Sequence, residues 1–504
     1  MSKLKVASIL LLFSTFFLKF SSMLRDVTIG YYFGSSSITD AYFAAMTIPT
    51  AIILFMLTGM KGAFLPSYYK YEKDNKGFSH LTNIVKGTFG IGVIISLAGI
   101  IASPYIIRFF YPSFTDQAAE VAVWTLIFYF AAVVLVGVNA VYEGYFDAKK
   151  KFSFSTFSQT IVVICTIGSM IILHSHIGIY SVPIGYFVGT IISLIMKLLY
   201  LKPANFLNWK QKINRKEVQM FYIVFLPVGL TIAVGQINMF VNTLFAAGLG
   251  EGVVTNLNYA FRLVNIPQAI FGVVIATIIF PILAEAKSQN NDLLFKNGIE
   301  KGLSFMFLFL APAVAGMVLL MKPLVQLVYE RGAFDSIATS LTSEYAIFYI
   351  GSVLFYSIQA VIAKGFYTLE KGHYILRVGI FSIILNVIFN AILSKLMGPV
   401  GLALSTSLVG FIYSAITFTT LYKLVGGFNL RRIGLEYTKI AISTICMIGL
   451  LLLVVQYLEG FGNVFYIITA IIIGVPVYFI ALFLLKVESL REILRSSKLK
   501  KLAK

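Results

Sequence analysis

Long apolar stretches separated by short polar breaks recur along the whole chain, and most reach the about 20 residues that a helix needs to cross a bilayer. Cutting the chain at polar and Gly- or Pro-rich breaks predicts fourteen membrane spans. These cover 6–33, 38–66, 81–108, 117–147, 153–174, 178–200, 218–249, 253–285, 301–322, 339–368, 374–395, 399–423, 437–457 and 464–486. The pattern predicts an all-α polytopic membrane protein.

Three segments of the first half recur in the same order in the second half. "TDAYFAAMTIPTAIILF" (39–55) resembles "TNLNYAFRLVNIPQAIFGV" (255–273), "PYIIRFFYPSFTD" resembles "PLVQLVYERGAFD", and "EGYFDAKKKF" resembles "AKGFYTLEKGHY" with Gly144 on Gly365. Six spans per repeat give both halves the same orientation, and transporters built from parallel repeats bind substrate between them. The predicted parts are an N-terminal six-helix lobe (1–200), a basic cytoplasmic linker (201–217), a C-terminal six-helix lobe (218–425), helices 13 and 14 (426–486) and a basic cytoplasmic tail (487–504).

Charge supports this division into spans and loops. The chain has 504 residues, of which 59% are hydrophobic and 12% are charged, whereas soluble proteins carry about 25% charged residues. With the N-terminus inside, 29 of the 40 basic residues fall in cytoplasmic segments, four fall in outside loops and seven fall in spans. This bias follows the positive-inside rule and predicts that both termini are cytoplasmic. It also accounts for most of the net charge of +19, so nucleic-acid binding is not needed to explain it.

The chemistry of an enzyme is missing from the sequence. The predicted outside loops are short and poor in carboxylates, and we find no Walker loop, HExxH pair or nucleophile elbow. The two cysteines lie in apolar runs and the four histidines are scattered, which indicates no metal site. We therefore predict a transporter driven by a gradient, a potential or a partner protein, with neither cofactor nor metal.

Two basic residues lie deep in predicted spans. Lys19 follows Lys5 by roughly 21 Å of helix, and Arg262 is roughly 14 Å into its span. Such a residue costs about 2.5–3.5 kcal/mol by insertion scales and usually faces an aqueous cavity or a partner charge. Of the other five basic residues in spans, Arg25 lies near the outer interface, and four lie within about two turns of cytoplasmic ends, where snorkelling explains them; these four are Lys61, Lys86, Lys197 and Lys364.

Each candidate binding residue has a structural alternative. Lys19 could balance Asp26, two turns along the same helical face. Arg25 lies nearer the outer interface, where snorkelling competes with ligand binding. Asp40 opens the second span after "GSSSIT", and a carboxylate at a helix N-terminus is favourable on dipole grounds alone.

The repeat sets Arg262 apart, because its counterpart in the first half is Ala44, while the counterpart of Asp40 is Asn258. The shared fold therefore does not require Arg262. A cavity with several bases and few acids suits an anionic substrate, since arginine binds phosphate through two hydrogen bonds.

Pro49 and Pro267 lie at equivalent positions in the middle of two spans. Proline removes a backbone hydrogen bond and kinks a helix. Both a static kink and a hinge fit this pattern.

Several motifs together carry a family resemblance. "RDVTIGYYFGSSSITDAYFAAMTIP", "GAFLPSYYKYEK", "LNYAFRLVNIPQAIFGVVIATIIFPILAEA", "YERGAFD" and "GPVGLALSTSLVGFIYS" resemble the MurJ (MviN) family of lipid II flippases, part of the multidrug/oligosaccharidyl-lipid/polysaccharide exporter superfamily. The resemblance implies movement of an undecaprenyl-diphosphate-linked glycan from the inner to the outer leaflet of the bacterial plasma membrane by alternating access. It also implies a lipid-tail groove in 426–486 and substrate binding by Lys19, Arg25, Asp40 and Arg262. Membrane lipids are expected partners, and cell-wall synthesis proteins are further candidates.

The chain departs from the family pattern in two places. An arginine of the family pattern falls near Ile53 here, and Lys61, about two turns further on, is a poor substitute for it. This departure favours another polyprenyl-diphosphate glycan, such as a capsule or exopolysaccharide unit, as the alternative substrate. In relatives thought to be sodium-coupled, carboxylates occupy a region where this chain has neutral side chains, which form at most a weak cation site; these are Asn242, Asn386, Asn390 and Thr406. A cation-coupled drug antiporter would favour acidic residues in the cavity, so the predicted basic residues argue against that function. A purely structural role in the membrane is a further alternative, and the basic residues deep in the spans are the only argument against it.

The charge bias makes a testable prediction about topology. We expect outside exposure of 34–37 and 248–254, and inside exposure of 70–76 and 149–151, because the basic loops stay cytoplasmic. Single cysteines in these loops, labelled in whole cells with a membrane-impermeant thiol reagent, measure this. Labelling of 149–151 from outside would contradict the topology.

Overall fold

The computed structural model describes residues 3–201, 207–208, 210–455 and 462–494. All regular secondary structure in these ranges is helical. The α-helices are α1 (Lys3–Phe33), α2 (Ser37–Glu72), α3 (Gly77–Phe110), α4 (Asp116–Ala148), α5 (Phe152–Ile177), α6 (Ser181–Leu201), α7 (Arg215–Ala246), α8 (Val253–Val264), α9 (Val273–Ser288), α10 (Asp292–Leu319), α11 (Met321–Tyr329), α12 (Ser336–Thr368), α13 (Gly372–Met397), α14 (Pro399–Leu424), α15 (Leu430–Val455) and α16 (Asn463–Leu484). The predicted fold class, an all-α membrane protein, is confirmed.

Ten helical stretches of the described chain are long and apolar enough to cross a membrane, and one of them, Phe152–Leu201, contains both α5 and α6. The predicted spans 6–33, 218–249 and 253–285 are not among the ten. The total of fourteen therefore stays a prediction.

One predicted span, 253–285, is interrupted. Helix α8 ends at Val264, a π-helical turn covers Gln268–Gly272, and α9 follows. A second break separates α10 from α11, whereas the repeat-related helix α3 continues through Pro104. Pro323 lies in the first turn of α11, where proline costs no helical hydrogen bond.

Contacts divide the chain into two compact units. Unit 1 comprises Met1–Thr255 with Arg331–Asp335, and unit 2 comprises Asn256–Glu330 with Ser336–Lys504. In unit 1, α7 packs on α2 and α3, with Phe225 edge-on to Phe55 at 4.8 Å between ring centroids. The lobe boundaries taken from the repeat stay a prediction, and residues 202–206, 209 and 495–504 of the predicted linker and tail lie outside the described residues.

Apolar side chains form the cores of both units. The core of unit 1 lies among α2, α3, α4 and α7 and includes Phe64, Tyr142 and Phe221. Unit 2 has one core among α9, α10, α12 and α14 and another among α10, α15 and α16. The units therefore each hold together by burial of side chains that face other helices rather than lipid.

Residues Arg331–Asp335 of the "ERGAFD" motif belong to unit 1 by contact. The N–H of Ala333 donates to the carbonyl of Tyr31 over 2.8 Å. Gly332 has φ +62°, and a Cβ there would lie 2.3 Å from the Tyr31 oxygen. Glycine is thus required at 332 both by the left-handed backbone and by the close approach of α1.

A buried ion-pair network joins four helices of unit 1. The Lys197 ammonium on α6 is fully buried and donates to Asn139 Oδ1 at 2.6 Å and to Glu143 Oε1 at 3.0 Å. The other carboxylate oxygen of Glu143 accepts from Lys61 on α2 at 3.1 Å and from Gln159 on α5 at 2.6 Å. The snorkelling interpretation of Lys197 is therefore wrong, because Glu143 compensates the charge inside the unit.

This network predicts a stability effect. Lys197→Met should lower the free energy of unfolding by about 3–5 kcal/mol, because Glu143 loses its fully buried partner. Adding Glu143→Gln should recover part of the loss. Thermal unfolding of the purified protein measures both variants. Lys364→Met serves as the control, since that ammonium lies over the Phe280 ring at 5.3 Å rather than in an ion pair; equal effects at 197 and 364 would contradict the role of the network.

Candidate substrate site

Lys19 lies on an exposed face of α1. Its side chain makes no ion pair or hydrogen bond with the described residues, and neighbouring Phe16 and Phe20 are also exposed. The alternative in which Lys19 balances Asp26 is wrong, because Asp26 pairs with Arg25. Lys19 is therefore a cation without a protein partner in the described part of unit 1.

Arg25 and Asp26 form an ion pair between neighbours in sequence. The Nε and Nη2 atoms of Arg25 lie 3.1 and 2.8 Å from Asp26 Oδ1. The arginine side chain is 22% exposed and the aspartate side chain 9% exposed. The pair holds the guanidinium beside α1 and so restricts the directions of its remaining donors, while substrate binding by Arg25 stays a prediction.

Asp40 is buried and engages the turn that opens α8. Its Oδ2 accepts from the N–H of Gly252 at 2.6 Å, and its Oδ1 accepts from the N–H and hydroxyl of Thr255 at 2.7 and 2.6 Å. Helix α2, to which Asp40 belongs, is capped by Ser36 instead. Asp40 therefore does accept from N–H groups at a helix start, as the capping alternative predicts, but the helix is α8 and not its own helix α2. Substrate binding by Asp40 stays a prediction.

Arg262 is half-buried on α8 in unit 2. Its Nε donates to Asn258 Oδ1, one turn earlier, at 2.6 Å. Asn258 is the repeat counterpart of Asp40, so the two repeats use the same position for different purposes. In unit 1 the side chain holds a helix terminus, and in unit 2 it orients an arginine.

Pro49 and Pro267 lie in different backbone conformations. Pro49 is inside the continuous helix α2, whereas Pro267 follows the end of α8 and precedes the π-helical turn. Helix α2 thus continues through Pro49, whereas the α-helix is interrupted around Pro267. A hinge at either position stays a prediction.

The neutral polar residues fall in both units. Asn242 belongs to α7 of unit 1, while Asn386 and Asn390 are buried on α13 and Thr406 is buried on α14 of unit 2. Asn390 Nδ2 contacts Asn386 Oδ1 at 3.4 Å, and the Thr406 hydroxyl donates to the Leu402 carbonyl at 3.1 Å. Within the described residues, no group of three or more His, Cys, Asp and Glu residues is placed to hold a metal ion.

Sequence reasoning missed two buried acids of unit 1, Glu143 and Glu217. Glu217 lies in the first turn of α7, where it contacts the His80 ring and accepts from Asn83 Nδ2 at 2.7 Å. Counting acids as well as bases near the ends of spans would have flagged both, because a carboxylate facing apolar helices requires a partner.

An apolar groove of about 470 Å³ lies within unit 2 among α10, α15 and α16. Its walls include Phe309, Pro312, Met447, Leu451 and Gly474. The Tyr478 hydroxyl beside it donates to the Leu308 carbonyl at 2.6 Å, which leaves an apolar ring surface on the groove side. The lining suits a hydrocarbon chain.

Comparison with known proteins agrees with this geometry. The model of the family described as "Lipid II flippase MurJ" matches residues 29–472. The lipid II flippase MurJ of Burkholderia cenocepacia is 24% identical over 420 residues, 80% of this chain and 81% of that protein. A probable lipid II flippase MurJ of Vibrio cholerae is 26% identical, with 85% of each chain covered.

Solved structures agree as well. A lipid II flippase MurJ in an inward closed conformation superposes with a TM-score of 0.80 at 25% identity, covering 94% of this chain and 98% of that one. An inward-facing multidrug resistance MATE transporter of the MOP superfamily shares the fold, with a TM-score of 0.69 at 13% identity over 81% of this chain and 94% of that one. Since the family model spans most of its length, this chain belongs to the MurJ family of lipid II flippases.

Proposed function

We propose that this chain moves lipid II from the inner to the outer leaflet of the plasma membrane by alternating access, without an enzymatic step. The family match over 29–472 carries the proposal. Lipid II joins an anionic diphosphate to a long polyprenyl tail, and the chain offers chemistry for each part.

Bases within otherwise apolar helices suit the diphosphate. Lys19 lacks a protein partner among the described residues, Arg25 is held by Asp26, and Arg262 is held by Asn258. In a low-dielectric setting, such fixed cations attract phosphate more strongly than they would in water. We assign these three residues to diphosphate binding, with Asp40 stabilising the helix start from which Arg262 projects.

The apolar groove suits the tail. Its side chains come from α10, α15 and α16, so it includes the two C-terminal helices added to the repeats. We assign this groove to the polyprenyl chain.

One observation favours a second substrate. Ile53, near which the family resemblance places an arginine, is 6% exposed. Loss of that cation weakens recognition of a particular headgroup more than recognition of the diphosphate. A flippase for a different polyprenyl-diphosphate glycan is therefore the second candidate.

Complementation tests the function. In cells depleted of their own lipid II flippase, this chain should restore growth and lipid II export. Failure of export despite normal expression, together with export of another lipid-linked glycan, would support the second candidate.

Arg262 supplies a sharper test in the same cells. Arg262→Ala should lower export roughly tenfold or more, because a charge-assisted hydrogen bond is worth about 1.5–3 kcal/mol. The matched control is Arg377→Ala, since Arg377 is exposed on α13 and has no side-chain partner among the described residues. Full export by Arg262→Ala at normal expression would remove Arg262 from the site.

Lys19 should require charge more than shape. Lys19→Arg should keep or improve export, since the guanidinium binds phosphate through two bonds. Lys19→Gln should lose roughly tenfold, and Lys19→Met should lose more while inserting normally. Because Asp26 pairs with Arg25, adding Asp26→Leu to Lys19→Met should not restore export. Rescue by that double variant would defeat the binding role.

A further inference from the structure

The two units build the same turn after repeat-related helices. After α2, Asn75 adopts φ 56° and the N–H of Lys76 donates to the Tyr71 carbonyl. After α9, Asn290 adopts φ 50° and the N–H of Asn291 donates to the Ala286 carbonyl. Both are helix C-terminal turns closed by a left-handed residue.

A second pair of turns follows α4 and α12. Lys150 and Glu370 adopt φ 60° and 58°, and the next N–H in each turn donates five residues back, to Phe146 and Phe366 respectively. The matching turns make Lys151 the repeat equivalent of Lys371, one residue away from the alignment of Gly144 with Gly365. In each unit we call the two turns together a corner: residues 71–76 and 146–151 in unit 1, and 286–291 and 366–371 in unit 2. The side chains of the two corners therefore correspond position by position.

The lysines of the unit 1 corner have partners within the protein. Lys149 Nζ pairs with Glu72 at 2.8 Å, and Lys151 Nζ donates to the Tyr200 hydroxyl at 2.6 Å. By the matched turns, Lys287 of unit 2 takes the position of Glu72, and Leu369 takes that of Lys149. The acid that neutralises the corner of unit 1 is thus replaced by a base in unit 2.

The unit 2 corner encloses a polar cavity of about 280 Å³, far above the about 10–15 Å³ that one water needs. Three lysines line it: Lys287, Lys296 and Lys371. Lys296 donates to the Gly426 carbonyl at 3.2 Å, while the ammonium groups of Lys287 and Lys371 have no ion pair or hydrogen bond with described residues. Asp292 is the one acidic residue in the described lining.

We propose that this corner binds the phosphate of an anionic phospholipid headgroup in the inner leaflet. Lysine binds phosphate as a point charge, and basic pockets between cytoplasmic helix ends bind lipid headgroups. Leu293, next to Asp292, is 70% exposed, which supplies an apolar surface for an acyl chain beside the lysines. The proposal rests on the predicted cytoplasmic placement of this end and not on Lys19, Arg25 or Arg262, so it is independent of the transported substrate.

The test titrates the purified full chain with dihexanoyl phosphatidylglycerol and measures affinity by the shift in thermal unfolding. Each lysine near an anionic headgroup contributes about fivefold, so Lys287→Gln with Lys371→Gln should weaken binding roughly twenty-fivefold. The matched control is Lys149→Gln with Lys151→Gln, which removes the equivalent charges from unit 1 and should bind like the original chain. Lys287→Arg with Lys371→Arg should retain binding, which separates charge from folding.

Three further outcomes would overturn the proposal. Equal weakening by the unit 1 control would show a general effect of basic charge. Equal affinity for dihexanoyl phosphatidylcholine would remove the requirement for net negative charge. Equal affinity for glycerol phosphate would make the ligand a soluble phosphate rather than a lipid.

Discussion

A charge placed among apolar helices costs several kcal/mol unless an opposite charge or a set of hydrogen bonds compensates it. This constraint organises the polar side chains of both units. Lys197 is fully buried because Glu143 and Asn139 surround its ammonium, and Glu143 is in turn shared with Lys61 and Gln159. The network ties α2, α4, α5 and α6 together, so it fixes the packing of unit 1 as much as it neutralises charge.

The internal repeat preserves the backbone and varies the chemistry. The turns at Asn75 and Asn290 share a left-handed residue and the same hydrogen bond. The side chains near them differ, because a turn constrains φ but leaves the charge of exposed residues open. The same holds for Ala44 and Arg262. The two units therefore share turn geometry while the charged side chains at equivalent positions differ.

Much of the fold was predictable because the length and apolar composition of membrane helices can be recognised in the sequence. Predicted spans such as 81–108 and 399–423 fall within α3 and α14. The break after Val264 was not predicted, since proline alone does not distinguish the continuous helix α2 from the interrupted α8–α9 region. The ion-pair partners of the charged side chains were the least predictable feature. The sequence offers Lys19, seven residues away, as a partner for Asp26, but Asp26 pairs with adjacent Arg25. Glu143 pairs with Lys197 on another helix, which no local pattern reveals.

Acids are scarce in this chain, 21 against 40 bases, and several of the buried ones hold the starts of other helices. Asp40 accepts from the first turn of α8, Glu300 accepts from the N–H of Asn429 before α15, and Glu436 accepts from the N–H groups of Glu488 and Ser489 at the start of the helical residues 488–494. Each carboxylate meets N–H groups that lack intrahelical partners and the positive end of a helix dipole. These carboxylates thus accept hydrogen bonds from backbone N–H groups at helix starts. The bases are consequently left in excess over the acids, and Lys19 on α1 has no acidic partner among the described residues.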